Sequence, residues 1–255
     1  MTPWSWLEAP PARQLSLAAA VRVHAQVQLA RTLRLRGLWP WLALALAVAL
    51  GGWAIVRFSV ESAERYGEYV RMCGINAVAL VALGLGTSAL RQDAEAGALA
   101  FFLLRPRAPI ALPLGRWLAV SLVAAGLGAA CLGTLWLVTQ GSAAALGFGD
   151  LLRMLLAALL AGLTYTAVFI AFAVWQRAAV GVSVGWLVVG DGMAKKSDAF
   201  AALAPSHYLA AILGHATSPS TSLARAALSL LVLAAVALAA AVVRLQRDPP
   251  IVAPP

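Results

Sequence analysis

The sequence predicts an all-α integral membrane protein with six transmembrane helices, an N-terminal interfacial helix, and a further cytoplasmic helix between the second and third spans. Composition is the first observation behind this. The 255 residues are 62% hydrophobic and 11% charged, with mean hydropathy +0.85. Soluble domains run roughly 45–50% apolar and about 25% charged, and a soluble fold of this length has no interior large enough for the excess. The second observation is six apolar runs, Leu38–Val56, Met72–Leu90, Trp117–Val138, Leu151–Trp175, Ala178–Gly190 and Ala226–Val243, set against the roughly 20 residues that cross a hydrocarbon core. The third is charge placement. The formal charge is +9, but the arginines stand at the ends of apolar runs, as in membrane proteins. Nucleic-acid binding is excluded on the same ground, because a phosphate track needs a continuous basic face.

The elements follow in order as one membrane domain, with residues 1–37 as tail and interfacial helix, 38–243 as the six-helix body, and 244–255 as a second tail. Met1–Gln14 carries Trp4, Trp6, Glu8 and three prolines but no apolar core of a signal peptide, so the first span is expected to direct insertion. Across Gln14–Gly37, Val21, Val23, Ala25, Val27 and Leu29 alternate with Arg22, His24, Gln26 and Gln28, a strand-like period. Ala, Gln, Leu and Arg are good helix formers, however, and no partner strand exists. The segment is read as a helix at the cytoplasmic interface, its arginines toward lipid phosphates. Gly37 is expected to end it, and Pro40 to occupy the first turn of the next helix.

Orientation follows from the loops. With the N-terminus inside, the cytoplasmic side carries Arg13, Arg22, Arg31, Arg34, Arg36, Arg91, Arg105, Arg107, Arg116, Arg177, Arg244 and Arg247. The outer side carries Arg57, Arg65, Arg71, Arg153, Lys195, Lys196 and Arg225, which completes the nineteen basic residues. The excess of basic residues inside predicts cytoplasmic termini. The longest outer stretch, Asp191–Leu223, holds a semi-apolar piece at Ala199–Leu213, read as a short re-entrant helix that must pack against protein.

Several motifs imitate catalysis. Gly181-Val-Ser183-Val-Gly185 fits G-x-S-x-G, with Asp191 and His207 following, but that elbow needs a strand and a turn. Its intramembrane protease version wants a histidine on a neighbouring span, and the sixth has none. Gly181 and Gly185 are better read as a helix-packing face. The run Gly190–Ser197 approaches a phosphate loop, but Lys195 stands where the second glycine belongs, and its side chain blocks the backbone from wrapping phosphate. Glycines 84, 86, 126, 128 and 133 read as close helix contacts. Cys73 and Cys131 lie in separate apolar segments, and His24, His207 and His215 are scattered, so neither set reads as a metal site.

No Asp, Glu or Lys falls in the middle of a predicted span, whereas ion-coupled carriers need such a residue. The mid-span polar groups are Asn76, Thr87, Ser88, Thr164, Tyr165 and Thr166. They are candidates for lining a path or for joining helices, and the second role is the default. The chain is therefore expected to lack its own energy source, to bind no cofactor, and not to be an enzyme by itself.

The most informative stretch is Arg91–Arg116, RQDAEAGALAFFLLRPRAPIALPLGR, cytoplasmic by the charge rule. Asp93 and Glu95 suit a helix N-terminus and Pro106 a stop. Between them a short surface helix presents Phe101, Phe102, Leu103 and Leu104. Such a helix either docks a soluble partner or anchors in lipid. Glu95-x-Gly97, Leu103-Leu104, Pro106 with Arg107, and Gly115-Arg116 entering the next span resemble the ABC-2 type transporter permeases. Their pattern is an acidic-x-Gly-Thr step, a Leu pair, a Pro with a nearby Arg, and a Gly-Lys. Ala98 replaces the Thr here, Arg107 lies closer to the Pro, and Arg116 replaces the Lys. The resemblance extends to the six-helix layout, the interfacial helix and Ala204–Leu209.

The resemblance implies a permease subunit of an ABC exporter in a bacterial inner membrane. Two copies, or two related subunits, would each dock on a separate ATPase subunit that binds ATP and magnesium. Asp93, Glu95, Gly97, Phe101, Phe102, Leu104, Pro106 and Arg107 would form the coupling element, and cargo would pass between the permeases. A membrane assembly or maturation factor of ABC-like architecture is the alternative, and an intramembrane serine protease built on Ser183 the third reading.

Overall fold

The computed structural model describes residues 16–58, 62–95, 108–140, 142, 145–175, 178–191, 201, 203–214 and 222–247, and these are helical, without a strand. Helix α1 spans Leu17–Thr32. It opens at Ser16, whose Oγ accepts the Ala19 N–H at 3.2 Å, satisfying one of the free first-turn donors. The strand-like alternation is thus overridden by helix-forming composition and a good cap. The helix ends at Thr32 rather than Gly37, and α2, Leu35–Phe58, resumes after a two-residue joint, which leaves Pro40 inside it instead of in its first turn.

Helix α3, Ser62–Tyr69, passes through a π-helical turn, Val70–Gly74, into α4, Ile75–Glu95. Next come α5, Ala108–Thr139, and α6, Phe148–Trp175. Then α7, Ala179–Gly185, runs into a second π turn, Trp186–Asp191. Helices α8, Pro205–Ile212, and α9, Leu223–Arg247, follow. Pro205 begins α8 rather than interrupting it, since its fixed φ and missing N–H suit a first turn.

Five helical segments are long and apolar enough to cross a bilayer: Leu38–Phe58, Tyr66–Arg91, Pro109–Thr139, Phe148–Trp175 and Leu223–Arg247. They mark the chain as a membrane protein. The expected sixth, Ala178–Gly190, corresponds to seven α and six π residues, too short to span as a continuous helix.

Helices α4, α5 and α6 form the centre. Val78, Ala82 and Leu85 pack on Val120, Ala124, Ala161 and Phe169, and 72% of the Tyr66–Arg91 window is buried against 11% for Leu38–Phe58. Small residues let backbones meet, as membrane helix packing requires. A Cβ on Gly162 would stand 2.8 Å from the Ala125 amide nitrogen, so only glycine fits there. At the periphery, Tyr66 and Tyr69 donate to the carbonyls of Leu135 and Val48, the latter at 2.7 Å, and so tie α3 to α5 and α2.

Helices α6 and α9 run parallel. Thr164 Oγ1 donates to the Leu230 carbonyl at 3.2 Å, Ala167 packs with Ala234 and Leu238, and Trp175 Nε1 donates to the Ala240 carbonyl at 3.4 Å. Two parallel neighbours oblige the intervening chain to return along the length of α6.

Candidate functional site

Two charged clusters stand out. The first joins α1, α4 and α5 where α4 ends and α5 begins. Arg116, 1% exposed, donates through Nη1 to Gln28 Oε1 and to the Ala89 carbonyl, the latter at 2.7 Å, and through Nη2 to Asp93 Oδ2. The other carboxylate oxygen of Asp93 accepts from Arg31 Nη1 at 2.7 Å. Gln28 is held in turn by Thr32, which accepts from Nε2 at 3.3 Å while its hydroxyl donates to the Gln28 carbonyl at 2.9 Å. A carboxylate in the last turn of a helix opposes the helix dipole, and the two guanidiniums offset this. With two positive charges on one negative, the cluster carries a net positive charge, and the buried Arg116 Nε is left without a hydrogen-bond partner.

Local packing makes this cluster possible. Gly115 lies against α1 so closely that a Cβ would be 2.6 Å from the Val21 carbonyl oxygen and from His24 Cβ. The contact brings Gln28 and Arg31 within reach of the residue that follows. Gly115-Arg116 is therefore a paired device in which the glycine admits α1 and the arginine binds it.

The expected coupling residues divide sharply. Asp93 does not start a new helix; it sits in the final turn of α4 and is buried, turned inward rather than toward a docking partner. Glu95 is the last residue of α4. Gly97, Phe101, Phe102, Leu104, Pro106 and Arg107 lie outside the described residues.

The expected pathway residues also separate. Thr87 donates to the Leu83 carbonyl of its own helix at 2.7 Å, Thr164 joins α6 to α9, and Asn76 is exposed on α4. Among the described residues, nothing stands where a Cβ on Gly181 or Gly185 would be. The same is true of Gly126 and Gly133, whereas a Cβ on Gly86 or Gly128 would meet Phe169 or Val78 at 3.1 and 2.7 Å.

Tyr165 belongs to the second cluster. Its hydroxyl donates to Asp191 Oδ2 at 2.7 Å, and Asp191 Oδ1 accepts the Ser206 N–H of α8 at 3.1 Å. Tyr165 is fully buried and Asp191 is 4% exposed. Residues five apart on an α-helix point about 140° away from each other, but a π turn closes at that spacing and brings them to one side. Trp186 and Asp191 therefore both face α6, with the Trp186 ring edge-on to Tyr165, Phe169 and Phe172 at 6.0–6.2 Å. Tyr165 lies within about 6 Å of the midpoint of α6 by helical rise. Asp191 thus lies against the middle part of α6, because the π turn packs its Trp186 and Asp191 side chains on that helix.

Ser183, the nucleophile of the protease reading, is fully buried with its Oγ unpartnered. The Asp191 carboxylate is engaged by Tyr165 and Ser206 rather than by a histidine. No family model matches the sequence, and no curated protein matches it.

Proposed function

We propose that this chain is the permease subunit of an ABC-2 type transporter, moving a substrate outward across a bacterial inner membrane with ATP hydrolysed by a separate subunit. One observation carries the reading. Asp93, three residues before the connection at residues 96–107, and Arg116, nine residues after it, meet in one buried ion pair. A force applied to that connection by a soluble partner is delivered straight into α4, α5 and, through Arg31, α1. A rigid polar joint at the base of three helices is what conversion of a partner's motion into altered helix tilt requires.

The topology fits the same proposal. The parallel course of α6 and α9 requires a return crossing, supplied here by two pieces. Helix α7 starts four residues after Trp175, Asp191 meets Tyr165, and beyond α8 a Cβ on Gly214 would stand 2.9 Å from Arg153 Nη1. Together they retrace α6 from its last turn to its first. Six crossings, the fifth discontinuous, put both termini on the cytoplasmic side, as the basic residues favour.

The test is purification in mild detergent with co-purifying proteins identified and ATP hydrolysis assayed. A stoichiometric partner bearing a phosphate loop, released when Glu95 is changed to Lys, supports the reading. A chain that purifies alone and supports no ATP hydrolysis overturns it.

A further inference from the structure

We propose that α1 is seated in a lipid leaflet and that Arg31 and Arg34 bind the phosphate of an anionic phospholipid, which joins the Asp93 cluster as its second anion. The helix is inside out by the standard of a soluble fold. Gln28, which Arg116 holds, and Thr32 are 4% and 7% exposed, whereas Val23 and Val27 are 47% and 43% exposed. Val23 and Ala30 lie about 140° and 160° around the helix from Gln28, so the bare apolar stripe faces away from the bundle. A polar seam toward the protein and an apolar stripe outside suit acyl chains rather than water.

Charge selects the lipid. From Ala9 to Val60 the sequence has six arginines and no Asp or Glu. By helical angle Arg22 and Arg31 fall on the two edges of the stripe, and Arg34 stands in the joint before α2; all three are exposed. Arginines at such edges keep their stems in the apolar layer and carry their guanidiniums to the headgroups. Arg31 is also half of the link to the cluster, where Asp93 is one carboxylate against two guanidiniums. A phosphate on Arg31 and Arg34 supplies the missing negative charge through charge-assisted hydrogen bonds.

The position fits a headgroup. The span Leu38–Phe58 begins four residues after Arg34, and the Arg31–Asp93 contact sets the end of α1 beside the end of the span Tyr66–Arg91. Two crossings therefore terminate at the level of these arginines, where the phosphates of a leaflet lie. Arg31 then stands between lipid and protein, so the charge of the surrounding headgroups is felt by Asp93 and, through it, by Arg116.

Native mass spectrometry of the whole chain released from detergent, offered equal amounts of phosphatidylglycerol and phosphatidylcholine, tests it. Both lipids carry a phosphate, but only the first has a net negative headgroup, and its adduct is expected to dominate several-fold. Arg31→Gln and Arg34→Gln should each weaken phosphatidylglycerol binding about fivefold and leave phosphatidylcholine unchanged. Glycerol phosphate, which lacks the acyl chains, should give no adduct. Equal uptake of the two lipids overturns the proposal, as does a preference that survives both substitutions. Glycerol phosphate bound as tightly as the lipid would make this a site for soluble phosphate and overturn the lipid assignment. Arg34 lies outside the Asp93 ion pairs, so Arg34→Gln decides the matter even where the Arg31 variant does not fold. The measurement uses this chain alone, so its outcome is separate from that of the ATPase assay.

Discussion

Arg116 binds Asp93 across the interval of sequence that separates α4 from α5, and both side chains are almost completely buried while doing so. Among the described residues, Asp93 without Arg116 would keep the half-exposed Arg31, and Arg116 without Asp93 would keep two neutral oxygens. Removing one partner of such a pair costs about 3–5 kcal/mol, whereas replacing both with apolar groups is often nearly neutral. Arg116→Met is therefore expected to destabilise strongly, and Arg116→Met combined with Asp93→Leu to recover part of the loss. Thermal unfolding in detergent, read for the two single variants and the double, measures the coupling; strictly additive losses would contradict the pairing.

Gly115 controls whether α1 reaches this cluster. Valine at that position pushes into the Val21 carbonyl and His24, and backbone atoms cannot move aside as a flexible side chain can. Gly115→Val is expected to lift α1 from α5 and break the Arg31–Asp93 contact. Trypsin should then cut after Arg22 and Arg31 several-fold faster than in the parent chain, while α5 and α6 stay protected. Unchanged cleavage would mean that α1 tolerates the added bulk.

Gly162 tests the centre of the bundle in the same way. A side chain there meets Ala125 backbone, while Gly126, one residue along the same partner helix, faces open space. Gly162→Val should cost at least the roughly 1–3 kcal/mol typical of overpacking. Gly126→Ala should be close to neutral. Melting temperatures of the two purified variants check the contrast, and equal losses would refute it.

Much of this was legible from the sequence because hydrophobic length is a coarse, robust signal. Trp117–Val138 and Leu151–Trp175 lie inside real helices that only extend further at their ends. A helix within Gln14–Gly37 was also legible, although Thr32 rather than Gly37 ends it, since capping depends on local hydrogen bonds that composition does not encode. The pairing of Asp191 with Tyr165 was not legible, because it joins residues 26 apart and a linear reading treats the residue after an apolar run as the start of a loop. The one local hint was Gly190-Asp191-Gly192, a break too abrupt for a simple exit. Arg116 was recognised as a motif residue but not as a buried one, because its partners Gln28 and Asp93 come from α1 and α4. Gln28, an ordinary polar residue by sequence, is identified only by the guanidinium it receives.

The slight burial of Leu38–Phe58 also bears on what stability means for this chain. Trp39, Leu42, Leu46, Leu50 and Trp53 face outward along α2, so most of that helix's apolar surface is covered by acyl chains or by another apolar surface. Those molecules act as ligands of the folded state, and by mass action their concentration enters its free energy. A melting temperature for this protein consequently belongs to the chain together with its surrounding amphiphile, and two detergents will report two different numbers for one fold.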